Sequence, residues 1–169
     1  DGGHSQGYSY FRLRGLDQTR VNITMDGVPL NDPVDQAFYF SNFANILQST
    51  DQIQIQRGAG ITKNGNASYA GSIELFSKKL SDPQKFDFGF GYGSYNTCKA
   101  FAAFNSGIKN HKALNIIISR IYSDGFKKNS SNNSQSLYFN GGLFLDKSIW
   151  KFSLLGGNQK NGLAWMSVP

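Results

Sequence analysis

The sequence has few of the residues on which enzymes and metalloproteins usually depend. It contains one cysteine, Cys98, and two histidines, His4 and His111. A lone cysteine cannot form an internal disulfide or a cysteine-rich metal cluster, and two histidines give little material for a metal site or a Ser-His-Asp site. Glu74 is the only glutamate, so paired-carboxylate chemistry would need aspartates. We therefore expect no enzyme activity, no metal site and no cofactor.

Long hydrophobic runs and charged residues are also scarce. No run approaches about 18 apolar residues, which argues against a transmembrane helix. Charged residues make up 17% of the chain, below the roughly one quarter that is usual in soluble proteins. Glycine is abundant, with 19 residues, and aromatic residues reach 14%. This composition is typical of β-rich proteins built from repeated hairpins.

The positive charge is unevenly distributed. Residues 1–80 carry seven basic and seven acidic residues, whereas residues 81–169 carry ten and four, which accounts for the net charge of +6. The basic residues stand singly or in pairs near predicted turns. A nucleic-acid site would need a concentrated basic stripe, so we expect no nucleic-acid partner. The distribution suits solvated loops or anionic lipid headgroups.

The first half of the chain mixes short apolar runs with turn signals. The alternation of apolar and polar residues predicts strands at 8–14, 21–25, 53–57 and 72–77. A short helix is predicted at 43–47, with Asn42 as its cap. Two prolines and several Asn and Asp residues predict an exposed loop at 28–35.

Turn-forming residues close these predicted strands. Glycine accepts backbone conformations and close approaches that a side chain would obstruct, and Asp-Gly is a strong hairpin signal. The residues that we assign to structural turns on this basis are Gly15, Asp26, Gly27, Gly58, Gly60 and Gly71.

The second half of the chain is a series of longer alternating segments. Phe86, Phe88 and Phe90 would lie on one face of a strand, with Gly89 and Gly91 on the other. Further strands are predicted at 99–106, 113–122, 135–145 and 149–157. Segments of about 9–11 residues are long enough to cross a bilayer as tilted strands. The alternation of short turns with one long polar loop, at 124–134, is typical of transmembrane β-barrels.

Four segments of the first half carry a family resemblance. They are a strand ending in Arg-Gly, a strand ending in Asp-Gly-Val-Pro, a second strand ending in Arg-Gly, and a glycine-led strand, found in that order at 11–15, 21–30, 53–60 and 69–75. Together they resemble the plug of TonB-dependent outer-membrane receptors, except that Ser72 stands where a second glycine is usual. The resemblance implies a mainly β fold, with a small mixed α/β plug domain at 1–80 followed by antiparallel transmembrane β-barrel strands at 81–169, about five strands of an incomplete barrel.

The same resemblance implies a function and candidate site residues. A receptor of this family binds a scarce ligand, such as an iron–siderophore complex, and imports it across the outer membrane with energy from TonB, the plug acting as the gate. The implied partners are TonB, through a segment outside this chain, the transported ligand and outer-membrane lipid. Arg14 and Arg57 are expected to contact the barrel wall. The residues expected to face the ligand are Leu30, Asn31, Asp32, Gln36 and Tyr39.

A soluble all-β binding or adhesion module is the alternative interpretation of the residues. In such a sandwich, the two inner faces would be apolar and the outer faces charged. The run of phenylalanines opposite glycines at 86–91 better suits lipid on one side and a filled lumen on the other. The alternative predicts that these phenylalanines meet a second layer of protein.

Overall fold

The computed structural model describes residues 10–43, 45–58, 69–80 and 83–162. It is mainly β, as the sequence predicts. The eleven strands of the described residues are β1 (Arg12–Leu13), β2 (Leu16–Asp17), β3 (Val21–Met25), β4 (Val28–Pro29), β5 (Thr50–Arg57), β6 (Gly71–Ser77), β7 (Lys85–Gly93), β8 (Thr97–Asn105), β9 (Lys112–Ser123), β10 (Asn132–Leu145) and β11 (Ser148–Asn161). Three short 3-10 helices lie at Gln18–Arg20, Phe40–Asn42 and Ile46–Gln48.

The chain divides into two compact units. The small-sheet unit comprises the described residues of 10–40 and 46–78, and the five-strand unit comprises those of 41–45 and 79–162. The predicted domain boundary near residue 80 stays a prediction, and each unit is described by itself below.

The small-sheet unit is built around a four-stranded sheet in the order β4-β3-β6-β5. Strand β3 has the bounds that the sequence predicts, and all five of its residues are buried. It pairs in parallel with β6, so that Val21 lies opposite Gly71 and Met25 opposite Leu75. Strands β3 and β6 are the two central strands of the sheet. Their buried apolar side chains Val21, Ile23 and Leu75 form the core of this unit.

Two hairpins of this unit turn on residues with positive φ. Arg14 and Gly15, with φ of 53° and 81°, connect β1 to β2. Asp26 and Gly27, with φ of 50° and 82°, connect β3 to β4. Two consecutive left-handed residues form the turn whose twist matches that of the flanking strands. The strand predicted at 8–14 is present only as Arg12–Leu13 in the described residues.

The prediction of a helix at 43–47 is wrong. Two separate 3-10 helices, Phe40–Asn42 and Ile46–Gln48, lie at its ends. Asn45 has a φ of 57°, which is incompatible with a continuous right-handed helix. An asparagine tolerates this conformation better than most residues, so the interruption is a local property of the sequence that the apolar pattern hides.

The five-strand unit is an antiparallel meander in the order β11-β10-β9-β8-β7. Its strands are 9 to 14 residues long, as expected for strands that cross a bilayer at a tilt. The β9–β10 loop, 124–131, is the longest connection, and the β10–β11 turn has only residues 146–147. Among the described residues, no helix is long and apolar enough to span a membrane.

The two faces of this sheet have inverted polarity. One face exposes large apolar side chains, including Phe88 at 79% and Trp150 at 68% exposure. The opposite face carries buried polar residues, including Asn115 and Asn140, which are 2% and 3% exposed, among small and apolar ones such as Ile117. A soluble sheet places its apolar face inside. This sheet has the reverse arrangement, which is that of a barrel wall in lipid.

Candidate functional site

The candidate ligand-facing loop, residues 30–39, is anchored by the side chain of Asn31. Its Oδ1 accepts a hydrogen bond of 2.7 Å from the backbone N–H of Ile23. Its Nδ2 donates to the carbonyl oxygens of Val21, at 2.9 Å, and Gln36, at 2.8 Å. The bonds to Ile23 and Val21 fix the loop against the edge of β3, where backbone groups need partners. The bond to Gln36 closes the loop on itself.

The middle of the loop is a compact turn around Asp32. Its backbone N–H donates to the carbonyl of Ala37 at 2.8 Å, and its own carbonyl accepts from the N–H of Gln36 at 2.9 Å. Its Oδ1 accepts from the N–H of Val34 at 2.7 Å. Gln36 adopts a φ of 62°. These bonds hold Val34, which is 90% exposed, at the tip of an ordered loop.

Tyr39 and Asp35 form the most clearly perturbed titratable pair of the loop. The phenol of Tyr39 donates a hydrogen bond of 2.6 Å to Asp35 Oδ2. This bond lowers the pKa of the Asp35 carboxyl, helped by the hydrogen bond from the Ala37 N–H. The same bond raises the pKa of Tyr39 to about 12, because losing the phenolic proton would place two negative charges together.

The predicted ligand-facing residues therefore lie in one loop but differ in exposure. Asp32 and Gln36 are exposed, and Leu30, Asn31 and Tyr39 are half-buried. The backbone N–H of Leu30 donates to the Ile23 carbonyl at 2.8 Å, which continues the anchoring made by Asn31. Their role in ligand binding stays a prediction.

Sequence reasoning missed Asp35. The spacing of four residues between Asp35 and Tyr39 carries no signal by itself, because the two side chains meet only through the turn. Phe38, beside Tyr39, is buried and packs edge-on against Phe40, with ring centroids 4.6 Å apart. These two aromatic rings belong to the packing of the small-sheet unit.

The two Arg-Gly segments of the sequence come together in space. A side chain added at Gly58, which has a φ of 87°, would place its Cβ 4.0 Å from Nη1 of Arg14. Arg14 and Arg57 are both exposed, and neither forms a salt bridge within the described residues. Their contact with a barrel wall stays a prediction. Gly60 was assigned to the same turn region and lies outside the described residues.

Gly71 occupies the tightest glycine position of the small-sheet unit. A Cβ at this residue would lie 2.5 Å from the carbonyl oxygen of Gln56 and 2.6 Å from Cδ2 of Leu13. These distances are far below van der Waals contact. The start of β6 can therefore pass between β5 and the first hairpin only without a side chain.

Side-chain hydrogen bonds link Asn45 to strands β9 and β10 of the five-strand unit. Asn45 Nδ2 donates a hydrogen bond of 2.7 Å to Ser119 Oγ, which lies 2.5 Å from Ser136 Oγ on β10. No sequence pattern predicts this link, since Asn45 and Ser119 lie 74 residues apart in the chain. In the described residues no group of three or more His, Cys, Asp or Glu could hold a metal ion.

Comparisons with known proteins agree on one family. Residues 1–72 match the TonB-dependent Receptor Plug Domain family. Transferrin-binding protein A of Haemophilus influenzae is 27% identical over 122 residues, covering 66% of this chain and 13% of that protein. The hemoglobin and hemoglobin-haptoglobin-binding protein of Haemophilus ducreyi is 26% identical over 117 residues, covering 60% and 12%.

The fold is also found in a solved receptor structure. The ferric-catecholate import receptor Fiu from E. coli K12, in its open form, superposes with a TM-score of 0.74 at 19% identity, covering 90% of this chain and 22% of that chain. The chain thus spans about an eighth of the curated relatives that it matches. A small four-stranded sheet, followed in the chain by five antiparallel strands with one exposed apolar face, is the arrangement that the two units share with this structure. Residues 1–72 thus match the plug of TonB-dependent receptors, and the described part of the chain has the fold of a solved receptor of ferric catecholates.

Proposed function

We propose that this chain is part of a receptor that imports a scarce ligand across the outer membrane with energy supplied through TonB. Residues 1–80 are the later part of the plug, which acts as the gate, and residues 81–169 are the first barrel strands. The ligand is an iron–siderophore complex or a similar bulky iron source. The names of the matched relatives, which describe transferrin, haemoglobin and ferric-catecholate receptors, support this class of ligand.

The inverted polarity of the five-strand unit is the observation that carries the proposal. Apolar side chains such as Phe86, Phe88 and Phe90 are exposed on one face, which suits contact with lipid acyl chains. Polar residues are buried on the other face, which suits a filled lumen. A soluble sandwich has the opposite distribution, so this observation also disfavours the adhesion module.

The loop at 30–39 is the proposed ligand-facing surface of the plug. Its tip is ordered by backbone and side-chain hydrogen bonds, and it presents the exposed amide of Gln36 beside the hydrogen-bonded pair of Asp35 and Tyr39. A preorganised polar surface loses little conformational entropy when it binds a ligand. Polar donors beside aromatic rings suit the oxygen-rich and aromatic surface of a siderophore.

Uptake of radioactive iron by cells that express the complete receptor tests this function. The iron is supplied as a ferric catecholate, as haemoglobin or as transferrin, in cells with and without TonB. We expect that iron from one of these sources accumulates only when both the receptor and TonB are present. Accumulation that is equal with and without TonB contradicts energy-coupled import.

The assignment of the loop needs a variant that leaves its anchors intact. Gln36→Ala removes an exposed amide and keeps Asn31, so we expect ligand affinity to fall about tenfold, as for the loss of one or two hydrogen bonds. Val34→Ala is the matched control, because it shortens an exposed apolar side chain of the same loop. If the Gln36→Ala variant binds the ligand as tightly as the unmodified receptor, the proposal that this loop is part of the binding site is contradicted.

A further inference from the structure

An open groove of about 820 Å³ lies on the five-strand unit. Its lining includes Ala100, Ala102, Ile118, Leu137 and Gly156. The strand register places these side chains on the same face as the exposed phenylalanines, because Ala102 lies opposite both Phe88 and Ile118. Residues directly opposite in an antiparallel pair project from the same face. The groove therefore opens outward, and its small residues leave the space that larger side chains fill elsewhere.

A polar row closes one end of the groove. Gln135 lies opposite Arg120 on β9 and opposite Asn158 on β11. Directly opposite residues have Cβ atoms about 4.5–5.5 Å apart, so one guanidinium and two amides project side by side. All three side chains are exposed and line the groove. The next row, Leu137 between Ile118 and Gly156, is apolar.

The polar row lies at the edge of the apolar band. On β10 the outward apolar positions run from Leu137 to Leu145. Eight residues of strand are about 27 Å long, which a tilt of about 40° reduces to roughly 20 Å of bilayer height. This height is close to the apolar band of about 25 Å in outer-membrane barrels. Arg120 is one row beyond the band, at the depth of lipid headgroups.

Among the described residues, the positive charge of this row has no acidic partner. Arg120 forms no salt bridge in the part of the chain that the structure describes. Residues 81–169 carry the whole net charge of +6. A guanidinium at the headgroup depth of a membrane is complementary to a phosphate, which it binds with two parallel hydrogen bonds.

We propose that this groove binds a membrane lipid with an anionic phosphate headgroup. The phosphate lies against Arg120, with Gln135 and Asn158 as further hydrogen-bond donors. One acyl chain lies over Gly156 on β11, and a second chain lies over Ala102 on β8. This inference rests on the proposed membrane placement of the five-strand unit, and it adds a specific lipid site to that placement.

Lipid retention by the complete receptor in neutral detergent tests the site. Native mass spectrometry measures the binding of phosphatidylglycerol, with diacylglycerol, which lacks the phosphate, as the comparison lipid. Arg120→Gln should weaken phosphatidylglycerol binding about tenfold, as expected for the loss of a charge-assisted pair. Lys99→Gln is the matched control, because Lys99 adjoins Ala100 in the chain and projects from the opposite face, opposite Ile121. Equal effects of the two variants, or equal retention of the two lipids, overturn the proposal.

The acyl-chain part of the site has its own variant. Nothing lies within 4 Å of a Cβ placed at Gly156, so Gly156→Leu adds an apolar side chain to the groove and leaves every charge in place. We expect Gly156→Leu to weaken phosphatidylglycerol binding severalfold, and unchanged binding overturns the acyl-chain placement. A competition with inorganic phosphate separates a lipid site from a plain anion site: displacement of the lipid by phosphate at millimolar concentration contradicts a site that holds both headgroup and chain.

A separate measurement distinguishes an error in the proposed lipid site from an error in the proposed membrane placement. A nitroxide at Phe88→Cys, in a Cys98→Ala background, reports lipid contact without involving Arg120. If the label lies in lipid and the Arg120→Gln and Lys99→Gln variants bind phosphatidylglycerol equally, only the proposed lipid site is overturned. If the label lies in water, both the lipid site and the membrane placement on which it rests are overturned.

Discussion

The side-chain amide of Asn45 donates a hydrogen bond of 2.7 Å to the hydroxyl of Ser119, a residue 74 positions further along the chain. Asn45 itself sits in a left-handed conformation, with a φ of 57°, between two 3-10 helices. One residue thus separates the two 3-10 helices by its backbone conformation and at the same time bonds to β9 through its side chain. The combination assigns two separable effects to Asn45.

Substitutions at Asn45 should separate these two effects. Asn45→Gly keeps the left-handed conformation and loses the hydrogen bond, so we expect a loss of about 1 kcal/mol in the free energy of unfolding. Asn45→Ala loses both, at a further cost of about 1 kcal/mol. Denaturant unfolding of the complete receptor in detergent measures both values. If Gly and Ala variants are equally stable, the backbone conformation contributes nothing.

Asn31 should be more important to stability than its neighbours in the loop. Asn31→Ala removes three hydrogen bonds to the backbone at once, so we expect the free energy of unfolding to fall by about 2 kcal/mol. Asn31→Asp keeps the acceptor for Ile23 but places a carboxylate oxygen against the carbonyl oxygens of Val21 and Gln36, so we expect it to be no more stable than Asn31→Ala. Asp32→Asn serves as a control that preserves an acceptor oxygen for the Val34 N–H. An Asn31→Ala variant as stable as this control contradicts the anchoring role.

The Asp35–Tyr39 pair should show a defined dependence on pH. The pKa of Asp35 is lowered from 3.8, so its contribution to stability is present above the unfolded value and is lost as the pH falls through the lower folded value. The pKa of Tyr39 is raised from 10.0 to about 12, so its contribution is complete below pH 10 and is lost as the pH rises toward 12. The loop is therefore fully stabilised by this pair between about pH 4 and pH 10.

Ultraviolet titration of the phenol tests the pair directly. In the Asp35→Asn variant, the hydrogen bond to a charged carboxylate is lost, and we expect the pKa of Tyr39 to move back toward 10.0. Difference spectra against the Tyr39→Phe variant isolate this residue from the other seven tyrosines. An unchanged titration of Tyr39 in the Asp35→Asn variant shows that the carboxylate does not hold the phenolic proton.

Gly71 should not tolerate even the smallest side chain. Gly71→Ala forces a methyl group against the Gln56 carbonyl and Leu13, and we expect a loss of about 2–3 kcal/mol, as for an overpacked core. Gly91→Ala is the matched control, since nothing lies within 4 Å of its Cβ position. The difference in thermal unfolding midpoint between the two variants is the measurement. Equal midpoints contradict the close approach of β6 to β5.

Much of the secondary structure could be predicted from the sequence because its signals are local. The alternation of Phe86, Phe88 and Phe90 with smaller residues defines a strand face without any knowledge of its neighbours. Asp26-Gly27 marks a two-residue turn in the same way. The predicted helix at 43–47 failed for a related reason, because the apolar pattern gave no weight to the conformation of Asn45.

The candidate site was only partly predictable. The polar and aromatic residues of the loop at 30–39 pointed to a functional surface, but the sequence could not divide them into anchors and exposed groups. Asn31 became an anchor because three backbone groups converge on its amide. Asp35 gained its partner Tyr39 only when the turn around Asp32 brought the two side chains together.

The sequence by itself determined where strands and turns form and which face of each long strand is apolar, since side chains alternate with a fixed period of two residues. The tertiary structure decided which strands pair. The parallel pairing of β3 with β6, the link between Asn45 and Ser119 and the row of Arg120, Gln135 and Asn158 each join residues that are distant in the chain. Such contacts depend on the packing of the whole sheet, which no local pattern encodes.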